Sequence, residues 1–362
     1  MSHQGKRALG LWCDPNSNNL GVAALARGLK YSLPPDVTLV YASHLKPING
    51  FPLSVSSIAK ELVKPKSRLI EYMRGFDIVI DLGEGDSFTS IYGVKRMLKM
   101  MLSKLLVFRA GIPLVLAPQT LGPFSTRGSR FFGKVVLKNA QAVWARDSDS
   151  KARAQQLVSR SVKLATDLAF ALPMPDSTSH GEQPGVLLNV SGLLWHPNAH
   201  VDFLEYRTFV HAIFRVLVQR GETFAILAHV ISADGPDDDS RIARELAEQF
   251  QVRAVVPQSL DEARTAIQSS KLVVASRMHA CLNAVSLGVP TIALAYSDKF
   301  HALFDDLGLQ CTVDLRGVGR EEEPVTPLLE SLGFAVEMTA RSQDIAHQRI
   351  ANFRASLLEI LN

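Results

Sequence analysis

Short apolar runs rich in β-branched residues alternate with longer amphipathic stretches along almost the whole chain. This alternation leaves few folds open. A strand that is apolar on both faces belongs in a parallel sheet, and parallel strands need crossover helices. The pattern predicts strands at Arg7–Cys13, Val37–Tyr41, Asp77–Leu82, Pro113–Leu116 and Ala142–Ala145. Between them it predicts helices at Gly21–Tyr31, Tyr92–Phe108, Arg130–Asn139 and Ser148–Leu157. The stretch 173–184 then breaks the rhythm, with three prolines, two serines and a glycine and no periodicity. A second series follows, with strands expected at Gly185–Asn189, Thr223–Leu227, Lys271–Ala275 and Thr291–Ala295. Its helices are expected at Val201–Gln219, Asp238–Phe250, Leu260–Gln268 and His279–Leu287, and a last helix at Arg341–Leu361. The expected fold is α/β, two Rossmann-like domains at 1–172 and 185–335 facing a cleft. Residues 173–184 are the expected linker, and 336–362 a C-terminal helix packing back toward the first domain. Ligands of open α/β sheets bind beyond the carboxyl ends of the strands, so the loops after each strand should carry the chemistry.

A chain of 362 residues with 47% hydrophobic and 20% charged residues can bury a large core, which excludes disorder and coiled coil. The three cysteines, Cys13, Cys281 and Cys311, lie far apart, so neither a disulfide framework nor a metal-binding pair is expected. No uncharged apolar stretch is long enough to span a bilayer, and the apolar run after Arg7 is too short for a signal peptide. The expectation is a cytoplasmic protein. Charge is distributed unevenly. Residues 1–172 carry 24 Lys and Arg against 11 Asp and Glu, and the remainder 15 against 24. The basic half should meet something anionic, such as nucleic acid, a phospholipid surface or a phosphorylated substrate.

The most informative segment runs from Val274 to Leu294. A strand ends at Ser276, Arg277 and His279 stand at the turn into a helix of small residues, and Gly288–Pro290 ends that helix. A helix N-terminus offers unpaired N–H groups to an anion. Arg277 would add a bidentate guanidinium, and His279 a proton. The alternative is that Arg277 pairs with a local acid and His279 caps or packs.

Ser276-Arg277-Met278-His279-Ala280, with Gly288-Val289-Pro290 and Ala295–Lys299, resembles the signature of the polysaccharide pyruvyl transferase family. Other blocks resemble the family in order: Asn19-Leu20-Gly21, the loop within Asp77–Asp86, Gln119–Pro123, Ala145–Ser150 and Thr166–Phe170. The resemblance runs from about Ala8 to Leu309. Two loops depart from the pattern. Val22 and Ala23 follow Gly21 where acidic residues are usual, and Glu84 and Asp86 interrupt a usual run of glycines. The resemblance implies a GT-B-like fold and transfer of a pyruvyl group from phosphoenolpyruvate to a sugar of a cell-surface polysaccharide or its lipid-linked precursor. For that chemistry His279 is the candidate general acid, and Arg277, Arg146, Met278 and Lys299 are the candidate donor ligands. Asn19, Gly83, Asp86 and Gln119 are implied on the acceptor side, in the basic half. No cofactor, no metal and no nucleic-acid partner is expected. Arg146 could instead pair with Asp147 or Asp149, and Lys299 could be a solvated surface lysine.

Two rivals remain at this point: a nucleotide-sugar glycosyltransferase of the same architecture, and a binding protein without catalysis. Weaker signals are Gly85–Ser87 with Asp344 and His347, which imitate an esterase, and Asp234 with Asp237–Asp239, which suggest either a metal or acids opening a helix. His229, ending a strand, is either a site residue or a core histidine. No glycine-rich dinucleotide fingerprint or P-loop lysine is present. Lys95, Arg96, Lys99 and Lys104 are read as lying off the apolar stripe of Tyr92–Phe108, and Arg127, Arg130, Lys134 and Lys138 recur at near-helical spacing. Two such basic faces would suit an anionic membrane surface, placing the protein peripherally at the inner face of the membrane.

Overall fold

The computed structural model describes residues 5–43, 45–85, 88–176, 184–232, 235–317 and 332–362. The chain divides into two compact units. The first comprises Met1–Asn16, Leu25–Ala171 and Gln348–Asn362, and the second Ser17–Ala24 and Leu172–His347.

In order, the elements that begin the chain are β1 (Arg7–Leu11), α1 (Leu20–Ser32), β2 (Thr38–Ala42), α2 (Val55–Val63), α3 (Arg68–Met73), β3 (Ile78–Asp81), α4 (Val94–Ala110), β4 (Leu114–Gln119), α5 (Arg127–Asn139), β5 (Ala142–Ala145), α6 (Ser148–Gln155) and β6 (Lys163–Leu164). The strands form one parallel sheet in the order β2-β1-β3-β4-β5-β6. Sequence order reverses direction between β1 and β3, a switch point of the flavodoxin type. Strands β3, β4 and β5 are buried along their whole length, as the continuous apolar runs require.

The second series is β7 (Val186–Asn189), α7 (Gly192–Trp195), α8 (Phe203–Gln219), β8 (Phe224–Leu227), α9 (Asp239–Phe250), β9 (Arg253–Val255), α10 (Leu260–Gln268), β10 (Leu272–Ala275), α11 (Met278–Ser286), β11 (Thr291–Ala295), α12 (Asp298–Leu307), β12 (Thr312–Asp314) and α13 (Leu332–Leu361). Its parallel sheet runs β12-β11-β10-β7-β8-β9. Here the switch point falls between β7 and β10, the classical nucleotide-binding order.

The periodicity misses α2, α3, α7, α12 and the three strands β6, β9 and β12. Those strands are two or three residues long and incompletely buried, so they carry no apolar run. The short helices α2 and α3 are fixed by caps rather than by periodicity. Ser54 accepts from Ser57 N and Ser67 from Ile70 N. The last helix begins nine residues earlier than expected, at Leu332. Within the first unit its Phe353 meets Trp144 edge-on at 5.5 Å, and Ser356 Oγ accepts from Lys163 Nζ at 3.2 Å.

The outward basic face expected on α4 is not there, apart from Lys95. Lys104 is wholly buried and sits 3.0 Å from the equally buried Asp81 at the end of β3. Its ammonium also donates to Met100 O and lies over the Phe88 ring. Position 104 shares a face with Met97, Met100 and Val107, because seven residues make almost two full turns. Arg96 is engaged by Glu84 Oε2 and Gly83 O, and Lys99 lies 4.7 Å over the Trp12 ring. Burial holds the Lys104 pKa below the ordinary lysine value, with Asp81 opposing.

Lys104→Met leaves the Asp81 carboxylate buried without its cation, and should cost about 3–5 kcal/mol of stability. Lys104→Met combined with Asp81→Leu should recover most of that loss. Urea unfolding of both variants is the check, and equal losses would assign the pair's contribution to packing rather than charge.

Candidate active site

The second unit places its chemistry at the β7/β10 switch point. Asn189, the last residue of β7, accepts from Arg277 N through Oδ1 (2.9 Å) and donates to Leu227 O through Nδ2 (2.9 Å). It thereby ties the ends of three neighbouring strands. Beyond β10, Ser276 Oγ lies 2.8 Å from the hydroxyl of buried Tyr206, which accepts from Ser191 N. Arg277 is the N-cap of α11, with extended backbone and no side-chain cap bond. Its guanidinium turns onto Asp239, donating through Nη2 at 2.8 Å and through Nε at 3.2 and 3.3 Å, and onto Asp237 O at 2.6 Å. The side chain is 11% exposed, and the facing carboxylate outweighs burial to raise its pKa further. The local-acid reading of Arg277 thus describes this structure. The partner lies among Asp237–Asp239, which open α9: Asp238 caps it and Asp239 receives the arginine.

His279 lies two residues further on, in the first turn of α11, partly exposed, and its ring rests on Gly21. A Cβ built on Gly21 would stand 2.5 Å from His279 Nδ1 and 2.6 Å from Cγ, so only glycine admits this placement. Segment 18–21 is held there by backbone pairing. Leu20 N donates to His229 O, Ile231 N donates to Asn18 O, and Asn19 bridges Val230 in antiparallel sense. Asn19 Oδ1 accepts from Gly21 N at 3.0 Å and opens α1. Asn19 therefore stands in the second unit, against the expectation that grouped it with the acceptor loops of the basic half. His229 is a buried histidine, 1% exposed, with Nε2 3.2 Å from Asn283 Nδ2. Burial first, then the neighbouring His279 and Arg277, push its pKa down to about 3.

In the first unit Gly83 adopts φ +65°, and a Cβ there would meet Gln119 Oε1 at 2.5 Å. Gln119 Nε2 donates to Asp81 O at 2.8 Å. Arg146, expected among the donor ligands, belongs to this unit. It is 2% exposed and donates to Thr120 Oγ1 (2.8 Å) and Asp167 Oδ2 (3.4 Å), rather than to Asp147, which caps α6, or to Asp149, which pairs with Arg153. Its backbone N donates to Gln119 O, so Arg146, Gln119 and Gly83 form one neighbourhood. Met278 and Lys299 are partly exposed in the first turns of α11 and α12. Asp86, Ser87 and Asp234 lie outside the described residues. Among the described residues no cluster of His, Cys, Asp and Glu is arranged to hold a metal ion, the three cysteines are free and buried, and no helix is long and apolar enough to cross a membrane.

Sequence reasoning missed Asn189, Tyr206, Asp81 and the role of Asp239. For two of them a signal existed: Asn189 and Asp81 each end a fully apolar strand at its carboxyl edge.

Solved structures of similar shape include a UDP-GlcNAc 2-epimerase bound to UDP-GlcNAc and a protein in complex with UDP-glucose. UDP-GlcNAc 2-epimerase from Neisseria meningitidis is 14% identical, with 98% of this chain and 100% of that one covered and a TM-score of 0.60. HepE of Anabaena, solved with UDP-glucose, is 12% identical over 98% and 99%, with a TM-score of 0.52. At such identity the likeness is one of fold alone: two parallel-sheet α/β units in the GT-B-like arrangement of those structures. None of the curated proteins matches. The sequence profile of the polysaccharide pyruvyl transferases matches residues 19–298, from the Asn19 turn to the start of α12. The chain belongs to that family.

His229 should leave a mark on the pH profile of stability. It is neutral when folded, whereas the unfolded chain takes up its proton near pH 6.5. The contribution is therefore complete above about pH 6.5 and is lost as pH falls toward 3, at about 1.4 kcal/mol per pH unit. His196 and His211 act in the same direction. Melting of His229→Asn between pH 7 and 5 should show a shallower pH dependence than the parent; identical slopes would mean that His229 is not held neutral.

Proposed function

We propose that the protein transfers the pyruvyl group of phosphoenolpyruvate to a sugar of a cell-surface polysaccharide or of its lipid-linked precursor, in the cytoplasm. The observation that carries this reading is the seating of His279 on Gly21, beside Arg277, at the N-terminus of α11. Family membership supports a transferase of polysaccharide biosynthesis.

The donor is a compact trianion, and it suits the start of α11. The N-terminus of α11 carries no side-chain cap bond, and Arg277 adds charge pinned in one orientation by Asp239. Met278 and Lys299 would border this site. Within the first unit Arg146, held by Thr120 and Asp167, would order the loop that carries Gln119. His279 would protonate the methylene carbon of the enol, and the adjacent carbon then takes oxocarbenium character. A sugar hydroxyl adds to that carbon and loses its proton. A second hydroxyl displaces phosphate, closing a cyclic ketal. One hydroxyl proton thus ends in the new methyl group, by way of His279, and the other on phosphate. Neutral His229 behind His279 keeps a second cation out of the site. Gln119 and Gly83 would bind the acceptor.

Three measurements test the reading. Phosphoenolpyruvate should raise the melting temperature; stabilisation by nucleotide sugars alone would favour the glycosyltransferase reading instead. His279→Ala should lower turnover by about 10²–10⁴, with donor affinity less affected, and near-normal turnover would remove it as the acid. Gly21→Ala should give a folded protein with turnover lowered to a similar degree, because the new methyl group displaces the imidazole.

A further inference from the structure

From Phe88 to Arg146 the chain contains ten Lys and Arg and no Asp or Glu. The structure spends some of these cations internally: Lys104 on Asp81, Arg96 on Glu84 and Arg146 on Asp167. Another set is left outside. On α5, Arg127, Arg130, Lys134 and Lys138 are all exposed, while Ser129, Gly133, Val136 and Leu137 are buried. Phe131, 62% exposed, lies on the same outward stripe as the cations, four residues from Arg127 and three from Lys134.

The loop ahead of α4 is fastened beside the loop ahead of α5. Ser90 N donates to Pro123 O, Ser125 N to Ser90 Oγ, and Gly122 N to Phe88 O. Ile91 (51% exposed), Tyr92 (41%) and Val94 (79%) follow Ser90 and are left facing out, with Lys95 exposed next to them. The first unit thus shows large apolar side chains set among cations, at the start of α4 and along the outward face of α5. Lys95, Arg127, Arg130, Lys134 and Lys138 have no acidic partner among the described residues.

We infer that this face docks on an anionic phospholipid surface, with Phe131 and Val94 entering the headgroup boundary and the α5 cations meeting lipid phosphates. A soluble polyanion would need the cations but not the exposed apolar groups. Their combination is what an interfacial helix carries. The surface also corrects the expectation of two basic helix faces, because α4 contributes its N-terminal turn and the loop before it, not a lysine face. The inference stands apart from the donor chemistry, since adhesion is measured without substrate.

The full chain is sedimented with phosphatidylcholine vesicles, with and without phosphatidylglycerol. Binding is expected only when phosphatidylglycerol is present, and it should weaken with added salt. Each cation near the surface is worth about fivefold in partitioning, so Arg127→Glu with Lys134→Glu and Lys138→Glu should reduce binding on the order of 100-fold. Phe131→Ser with Val94→Ser should also reduce vesicle binding while leaving retention on heparin unchanged. All five positions are exposed, and unchanged melting temperatures verify that the variants fold. Equal sedimentation with neutral vesicles, or full binding by the charge-reversed variant, would overturn the inference. So would full vesicle binding by the Phe131/Val94 variant, which would point to a polyanion site instead.

Discussion

One buried carboxylate organises the second unit. Asp239, the first residue of α9, accepts from Gly192 N, His229 N and Val230 N as well as from the Arg277 guanidinium. Each of those N–H groups sits where a strand has ended or a helix is beginning, and there the backbone lacks ladder partners. A single acceptor with two oxygens satisfies them together and fixes three loops to one another. The arginine fixed in this way needs no reordering to meet an anion, and this is how preorganised charge differs from a mobile surface lysine. Asn189 extends the arrangement by joining the Arg277 backbone to the end of β8.

The first unit solves a related problem differently. Asp81 also ends a central strand, but its partner is a lysine drawn from the middle of a helix, and the two charges are sealed from water. Gln119 closes the other side, and Gly83 is the residue that lets the amide come so near. Pairing at this depth contributes little net stability, yet it penalises any arrangement that separates the partners.

How much of this was legible in the sequence follows from the range of each interaction. The fully buried central strands were legible, because every residue between Val186 and Asn189 or Leu272 and Ala275 is sequestered and must be apolar or small. Arg277 and His279 were legible because they stand where a strand meets a helix. Their partners were not, since Asp239 lies 38 residues from Arg277, and no periodicity links them. Lys104 was misread because its charge outweighed its position on the helix, although the face it shares with Met97 and Met100 is the buried one. Asn19 was placed with the wrong half because proximity along the chain is a poor guide where Ser17–Ala24 is counted with the later unit.

That exchange of segments bears on how the chain is made. Translation delivers the strands of the first unit together, but Phe353, Ser356 and Arg354, which meet Trp144, Lys163 and Ala171 O, emerge 183 or more residues after their partners. The second unit has the opposite dependence, since it draws on a segment synthesised before most of the first unit, with Asn18 and Leu20 paired to Ile231 and His229. A nascent chain therefore completes neither unit alone: the early half waits for Gln348–Asn362, and the late half recruits Ser17–Ala24, which left the ribosome long before. Cutting the gene between the two strand series would deprive each product of a piece of its own fold.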